Sequence, residues 1–234
     1  MIPANVRAVF LDAVGTLIFP DPPAAEVYAT VGRKFGSRLP VEAIGARFRD
    51  AFRCEEASDR AHGLRTDEAR EERRWRHIVA AVLDDVADGE GCFRELFGHF
   101  ARPQSWRCAA DADRVLAELA RRGYRLGLAS NYDRRLRSVA AGLPELAPLD
   151  CLVISSEVGW RKPAPEFFAA LVRQAGVPAG EILFVGDDPV NDVEGARAAG
   201  LRSLLLDPCG PDEACVTRLD DLLAPRGGAA REWH

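Results

Sequence analysis

Two kinds of hydrophobic pattern run along this chain. Short, mostly apolar runs fall at residues 8–11, 124–129, 151–155, 182–185 and 203–206, as expected for strands covered on both faces. After residue 124 the strands are interleaved with stretches whose apolar positions recur at helical spacing, at 134–141, 165–175 and 190–199. In the middle one, Phe167, Phe168, Leu171, Val172 and Ala175 share a face. Gly123, Gly176 and Gly200 stand where a left-handed residue closes a helix before the next strand. This alternation predicts a doubly wound, parallel, Rossmann-like α/β sheet.

Residues 20–103 break the alternation. They hold no β-rich run and read as helices throughout. The clearest spans 66–87, where Trp75, Ile78, Val79, Val82, Leu83 and Val86 form an apolar stripe, with Glu71/Arg74 and Glu72/Arg76 expected to pair on the solvent side. Prolines 20, 22, 23 and 103 mark the ends of the segment. The pattern predicts an all-helical domain, residues 20–103, inserted into a core made of 1–19 and 104–234. The last ten residues, with Trp233 and His234, read as a frayed tail.

Composition narrows the function classes. The 234 residues are 47% hydrophobic and 29% charged, with a net charge of −5 from interspersed acids and bases. Without a run of five or more Lys or Arg, nucleic acid is not an expected partner. No apolar stretch approaches the ~20 residues of a membrane span, and the run before Asp12 is too short for a secretory segment. A cytoplasmic protein without membrane partners is the expectation. Cys54, Cys92, Cys108, Cys151, Cys209 and Cys215 form no CxxC pair or zinc-type cluster, so reduced thiols are expected; Cys209 and Cys215 make the one disulfide considered.

In open α/β sheets ligands bind beyond the carboxyl ends of the strands. There the chain places Asp12 and Thr16, then Ser130 and Asn131, then Lys162, then Asp187, Asp188 and Asp192. Singly, each has a plain role: Asp12 can begin a turn, Ser130 can cap a helix, and Asp187-Asp188-Pro189 can form an N-cap. Together they suit phosphoryl transfer. A carboxylate nucleophile is repelled by a phosphate dianion unless cations neutralise the site, and Lys162 with Mg²⁺ would do so. An oxygen-only ligand set suits Mg²⁺, hydroxyls of Thr16 and Ser130 can fix phosphoryl oxygens, and Gly15 permits close backbone approach.

Asp12-x-x-x-Thr16, Ser130, Lys162-Pro163 and Gly186-Asp187-x-x-x-x-Asp192 resemble, in order and placement, the four signature motifs of the haloacid dehalogenase (HAD) superfamily. The position of the helical insertion resembles the subfamily with a helical cap over the active site, subfamily I. The resemblance implies a hydrolase of a small phosphorylated metabolite, with Asp12 as nucleophile and an aspartyl-phosphate intermediate. It further implies Mg²⁺ held by Asp12, the Val14 carbonyl and Asp187, with Asp192 or Asp188 holding a metal-bound water. Thr16, Ser130, Asn131 and Lys162 would bind the transferred group, and Lys162 would also counter the charge of Asp12.

One position departs from that pattern. Most phosphatases of the superfamily carry an aspartate acid/base two residues after the nucleophile, where this chain has Val14. General acid–base catalysis contributes roughly 10²- to 10⁴-fold. The gap leaves several readings open: a phosphohydrolase with a good leaving group or with an acid from His62, His77 or His99; a dehalogenase; a phosphonate hydrolase using Lys34 for an imine; or a non-catalytic binding protein.

Overall fold

The protein is described by a computed structural model covering residues 2–208 and 215–224. Cys209, Trp233 and His234 lie outside the described residues. Among the described residues there are eight strands: β1 (Ala8–Leu11), β2 (Ile18–Pro20), β3 (Trp106–Cys108), β4 (Arg125–Ser130), β5 (Cys151–Ile154), β6 (Ile182–Gly186), β7 (Arg202–Leu206) and β8 (Cys215–Val216). Six of them form one parallel sheet in the order β5-β4-β1-β6-β7-β8. The five strands expected from apolar runs are thus its consecutive members β5, β4, β1, β6 and β7.

The sheet is covered on both faces, which is why its strands read as continuous apolar runs. Side chains alternate along β1: Val9 and Leu11 join the core layer of Leu126, Leu128 and Leu183, while Ala8 and Phe10 join Phe167, Phe168 and Phe184 on the other face. The sequence signal for 165–175 is realised as a helix over Pro165–Ala175, with Phe168 packed edge-on to Phe184 at 5.7 Å.

The helices in chain order are α1 (Ala24–Lys34), α2 (Val41–Ala61), α3 (Glu68–Val82), α4 (Gly89–His99), α5 (Ala112–Arg121), α6 (Arg135–Ala141), α7 (Ser155–Val158), α8 (Pro165–Ala175) and α9 (Gly195–Ala198). Helices α1 to α4 form the helical cap. Helix α3 is shorter than the expected 66–87 because Asp67 caps it, accepting from the Arg70 amide at 2.6 Å. The expected helix 190–199 is instead a π-helical turn, Pro189–Glu194, running into α9.

Strands β2 and β3 pair antiparallel, Ile18 with Cys108 and Pro20 with Trp106. The proline-marked segments at the two ends of the cap are therefore zipped to each other rather than hanging as free linkers. This ribbon gave no apolar-run signal because each strand has three residues and one ends in proline.

The cap is also fastened to the core by charge, which corrects the expected solvent-side pairing of Glu71 with Arg74. Each is only 1% exposed. Glu71 accepts from Arg161, in the loop after α7, and from Thr66 Oγ1 at 2.7 Å. Arg74 Nε lies 3.1 Å from Asp59, which also receives Arg70 at 2.6 Å and Arg161 at 3.4 Å. With Glu55 on Arg70 at 2.8 Å, three arginines meet three acids. A solvated face would not need that balance; a face covered by the core does. The Glu72/Arg76 pair is exposed as expected, at 2.9 Å.

Burial alone would raise the Glu71 carboxyl, but Arg161 and Arg74 outweigh it and hold it below the usual carboxylate range. Burial and the neighbouring Arg161 pull Arg74 down to about 10. Backbone bonds reinforce this fastening: the Arg161 amide donates to the Leu64 carbonyl at 2.9 Å and the Thr66 amide to the Gly159 carbonyl at 3.1 Å. Arg65 stacks on Trp160 at 4.5 Å. On the core side, these contacts that cross to the cap fall at Gly159, Trp160 and Arg161, just before Lys162.

Candidate active site

Strands β4, β1 and β6 lie side by side, and each ends in chemistry. Asp12 follows β1, Ser130 closes β4, and Asp187 follows Gly186 at the end of β6. The parallel register sets this convergence, Leu11 standing beside Leu128 and Val185. Lys162 reaches in from the loop between α7 and α8. Its Nζ donates to Asp12 Oδ1 at 2.5 Å, to Asp192 Oδ1 at 2.6 Å and to the Ala129 carbonyl at 3.1 Å. These are as many acceptors as an ammonium has protons.

Both Lys162 and Asp12 are buried. Burial would lower Lys162, yet Asp12 and Asp192 outweigh it and keep it protonated. Burial raises Asp12 above the usual carboxylate range; Lys162 opposes the rise, while Asp192 and Asp187 add to it. Asp187 is raised as well, by burial and by Asp192.

Carboxylate oxygens of Asp12, Asp187 and Asp192 lie within 4.8 Å of one another. One ammonium among three carboxylates leaves the cluster short of positive charge, and an all-oxygen donor set fits a hard cation such as Mg²⁺. The backbone is shaped around these groups. Gly15 has φ of +97°, and a Cβ there would come within 2.3 Å of Asp187 Oδ2; a Cβ on Gly186 would meet Asp192 Oδ2 at 2.1 Å. Gly15→Ala should therefore weaken Mg²⁺ binding in titration calorimetry and lower stability by about 1 kcal/mol or more. Unchanged metal affinity would separate Asp187 from any cation.

The remaining sequence-predicted residues divide by partner. Thr16 Oγ1 donates to Asp187 Oδ1 at 3.3 Å. Ser130 is buried at the end of β4. Asn131 grips the Lys162 backbone, its Nδ2 donating to the carbonyl at 3.0 Å and its Oδ1 accepting from the amide at 2.7 Å. Asp188 caps the π-helical turn, accepting from the Val190 and Asn191 amides at 2.8 Å each. Of the two acids left open at this end, Asp192 accepts from Lys162 and the Asp188 amide, whereas Asp188 is held within its own turn, with the Asn191 side chain on its Oδ2 at 2.8 Å.

Residues 6–200 match the family of haloacid dehalogenase-like hydrolases. The chain belongs to that family. The human haloacid dehalogenase-like hydrolase domain-containing protein 3 is 31% identical over 207 residues, covering 86% of this chain and 82% of its own. A phosphoserine phosphatase of Thermus thermophilus is 34% identical over 153 residues, covering 62% and 61%. In three dimensions the chain is similar to a dehalogenase solved with an intermediate complex, with a TM-score of 0.72 and 18% identity over 94% of this chain and 97% of that one. At that identity the likeness shows the fold.

Beside the carboxylates this HAD-like hydrolase has a feature its sequence did not announce, a cavity of about 260 Å³ between cap and strand ends. Val14, 37% exposed, contributes to its wall with Asn131, and Tyr28, Phe48 and Trp75 contribute from the cap. Among the described residues, Arg135 is the one charged side chain lining it. Its guanidinium binds Asp133 through Nε at 2.8 Å and Nη2 at 2.7 Å, gives Nη1 to the Phe97 carbonyl at 3.0 Å and stacks on Phe97 at 3.6 Å. The stretch SNYDRR held these residues in plain view, but only the fold shows that the second arginine spans core and cap.

None of the suggested substitute groups reaches this wall. His62 sits on the Ser58 carbonyl and His77 on Glu55, both exposed, while His99 packs edge-on against Phe100. Lys34 is exposed and paired with Glu95 at 2.5 Å, and neither it nor His62, His77 or His99 lines the cavity. The imine route to phosphonate cleavage thus loses its one candidate lysine in the cap.

Proposed function

We propose that this hydrolase is a Mg²⁺-dependent phosphohydrolase of a small phosphorylated molecule, with Asp12 as its nucleophile. The observation that carries the reading is the junction at Lys162. A protonated lysine holds Asp12 and Asp192 together, and Asp187 completes a compact set of three carboxylates. Dehalogenation of a neutral carbon–halogen bond gives no reason to gather three acids at one point, whereas delivering a carboxylate to a phosphate dianion does.

Asp12, the Val14 carbonyl, Asp187 and Asp192 would hold the Mg²⁺, which when bound offsets the charge of the phosphoryl oxygens. Lys162 orients Asp12 and keeps a fixed positive charge beside its attacking carboxylate. Asn131 is a positioning residue that fixes the Lys162 backbone, and Ser130, at the end of β4, would offer its hydroxyl to a phosphoryl oxygen. The cap, fastened through Arg161, excludes water from the buried pair.

The Val14 side chain offers no proton, so the leaving group departs as an anion. Val14→Asp should raise turnover of alkyl phosphates by up to ~10²-fold, measured as phosphate release at saturating Mg²⁺. Absence of any gain in a folded variant would show that protonation is not what limits alkyl esters. The reading as a whole is tested by comparing phosphate release with and without Mg²⁺ against halide release from 2-haloacids in chelator. Metal-dependent phosphate release supports it, and metal-independent halide release overturns it in favour of dehalogenation.

A further inference from the structure

Two independent features meet on one wall of the site. The first is chemical: the residue facing the leaving group, Val14, cannot protonate it. The second is physical: the space beyond Val14 is lined almost wholly by carbon. Tyr28 comes from α1, Phe48 from α2 and Trp75 from α3, with Trp106 and Tyr132 closing the core side. The rings pack on one another, Tyr28 edge-on to Phe48 at 5.3 Å and Trp106 edge-on to Tyr132 at 6.2 Å.

Among the described residues the lining holds no carboxylate, histidine, lysine, serine or threonine, and its single cation, Arg135, is engaged by Asp133 and Phe97. A sugar, amino-acid or nucleoside leaving group would bring hydroxyls or charges into this space. Each left without a partner lowers affinity by about tenfold or more. A planar apolar group meets none of these penalties and gains ring contacts. A dry cavity of ~150 Å³ holds a benzene ring, so about 260 Å³ accommodates one ring or a fused pair.

We infer that the substrate is an aryl phosphate monoester, whose phenolic oxygen leaves into the aromatic cavity unprotonated. This rests on the phosphohydrolase reading above. Asp12 forms the new bond to phosphorus as the phosphorus–aryl oxygen bond breaks, and the aryl oxygen takes the electron pair and departs as aryloxide. Water then bonds to phosphorus as the bond to Asp12 breaks, regenerating the carboxylate. The water protons remain on the product, so an aryl phosphate dianion and water give aryloxide and dihydrogen phosphate. An acid at position 14 is dispensable for such a leaving group, which is stabilised as an anion.

The experiment separates binding from leaving-group reactivity by using phosphonates, whose carbon–phosphorus bond does not break in this reaction. Competitive inhibition of the Mg²⁺-loaded full chain is compared for methyl-, phenyl- and naphthylphosphonate, alongside kcat/KM for phenyl phosphate, acetyl phosphate, phosphoserine and a hexose phosphate. Phenyl- or naphthylphosphonate should bind about thirtyfold more tightly than methylphosphonate, with the ratio reduced in Trp75→Ala. Phenyl phosphate should exceed phosphoserine and the hexose phosphate in kcat/KM. Equal binding of methyl- and arylphosphonates, or preference for a polar ester while Mg²⁺-dependent phosphate release persists, overturns the aryl assignment and leaves the phosphohydrolase reading intact. No phosphate release from any of the four compounds overturns both.

Discussion

Asp12→Asn should abolish phosphate release, with a loss of roughly 10⁴-fold or more in kcat. Asparagine keeps the shape of the side chain, so the fold should survive. What it removes is the anionic oxygen that sits 2.5 Å from Lys162. The neutral amide cannot form the acyl-phosphate bond, and the Lys162 ammonium loses one of its two carboxylate partners. Phosphate release from an aryl ester, measured at saturating Mg²⁺ beside a thermal-unfolding control, reads the effect. A folded variant that retains turnover would remove Asp12 from the nucleophile role.

The largest expected effect on stability lies away from the carboxylates. Arg161→Met should cost about 3–5 kcal/mol, because it leaves Glu71 buried with its main cation gone. Urea unfolding of wild type, Arg161→Met and the double variant Arg161→Met/Glu71→Leu checks this, since the double variant should recover part of the loss. The dependence on pH has a definite sign. In the wild type the folded Glu71 carboxyl lies below its reference of 4.5, so its contribution is complete above that value and is lost as pH falls through the folded one. In Arg161→Met the buried carboxyl should shift upward, so the variant's deficit narrows on acidification. A deficit that stays constant would place the stabilisation elsewhere.

Much of the architecture could be read from the chain because parallel strands buried on both faces must be apolar without interruption, and β1 at Ala8–Leu11 and α8 at Pro165–Ala175 sit where the patterns place them. Their ends then fix which residues converge, so Asp12, Ser130, Lys162, Asp187 and Asp192 follow from the sheet rule alone. Other features depend on what covers a face. The spacing of Glu71 and Arg74 is that of an exposed helical pair, and only the arrival of Arg161 from the core shows it to be buried. Likewise Trp75 belongs to a stripe that reads as core, but part of that stripe borders a cavity. The difference between Asp188 and Asp192 lies in side-chain directions, because one of two nearby acids caps a turn while the other faces a lysine. The ribbon of β2 and β3 is too short for any periodicity to register.

Lys162 joins Asp12 to a carboxylate set fit for a metal, and Val14 stands at an apolar wall. On the proposed reading, the absence of an acid at position 14 and the aromatic cavity would be two aspects of one leaving-group preference. The account stands on covalent attack by Asp12. Acid-quenched mixtures of the Mg²⁺-loaded protein with phenyl phosphate, digested and analysed by mass spectrometry, should show a phosphoryl group on the peptide containing Asp12 in the wild type and none in Asp12→Asn. Phosphate release proceeding with no phosphoryl group on Asp12 at any quench time, or an alkyl adduct there after exposure to a 2-haloacid in chelator, would contradict it.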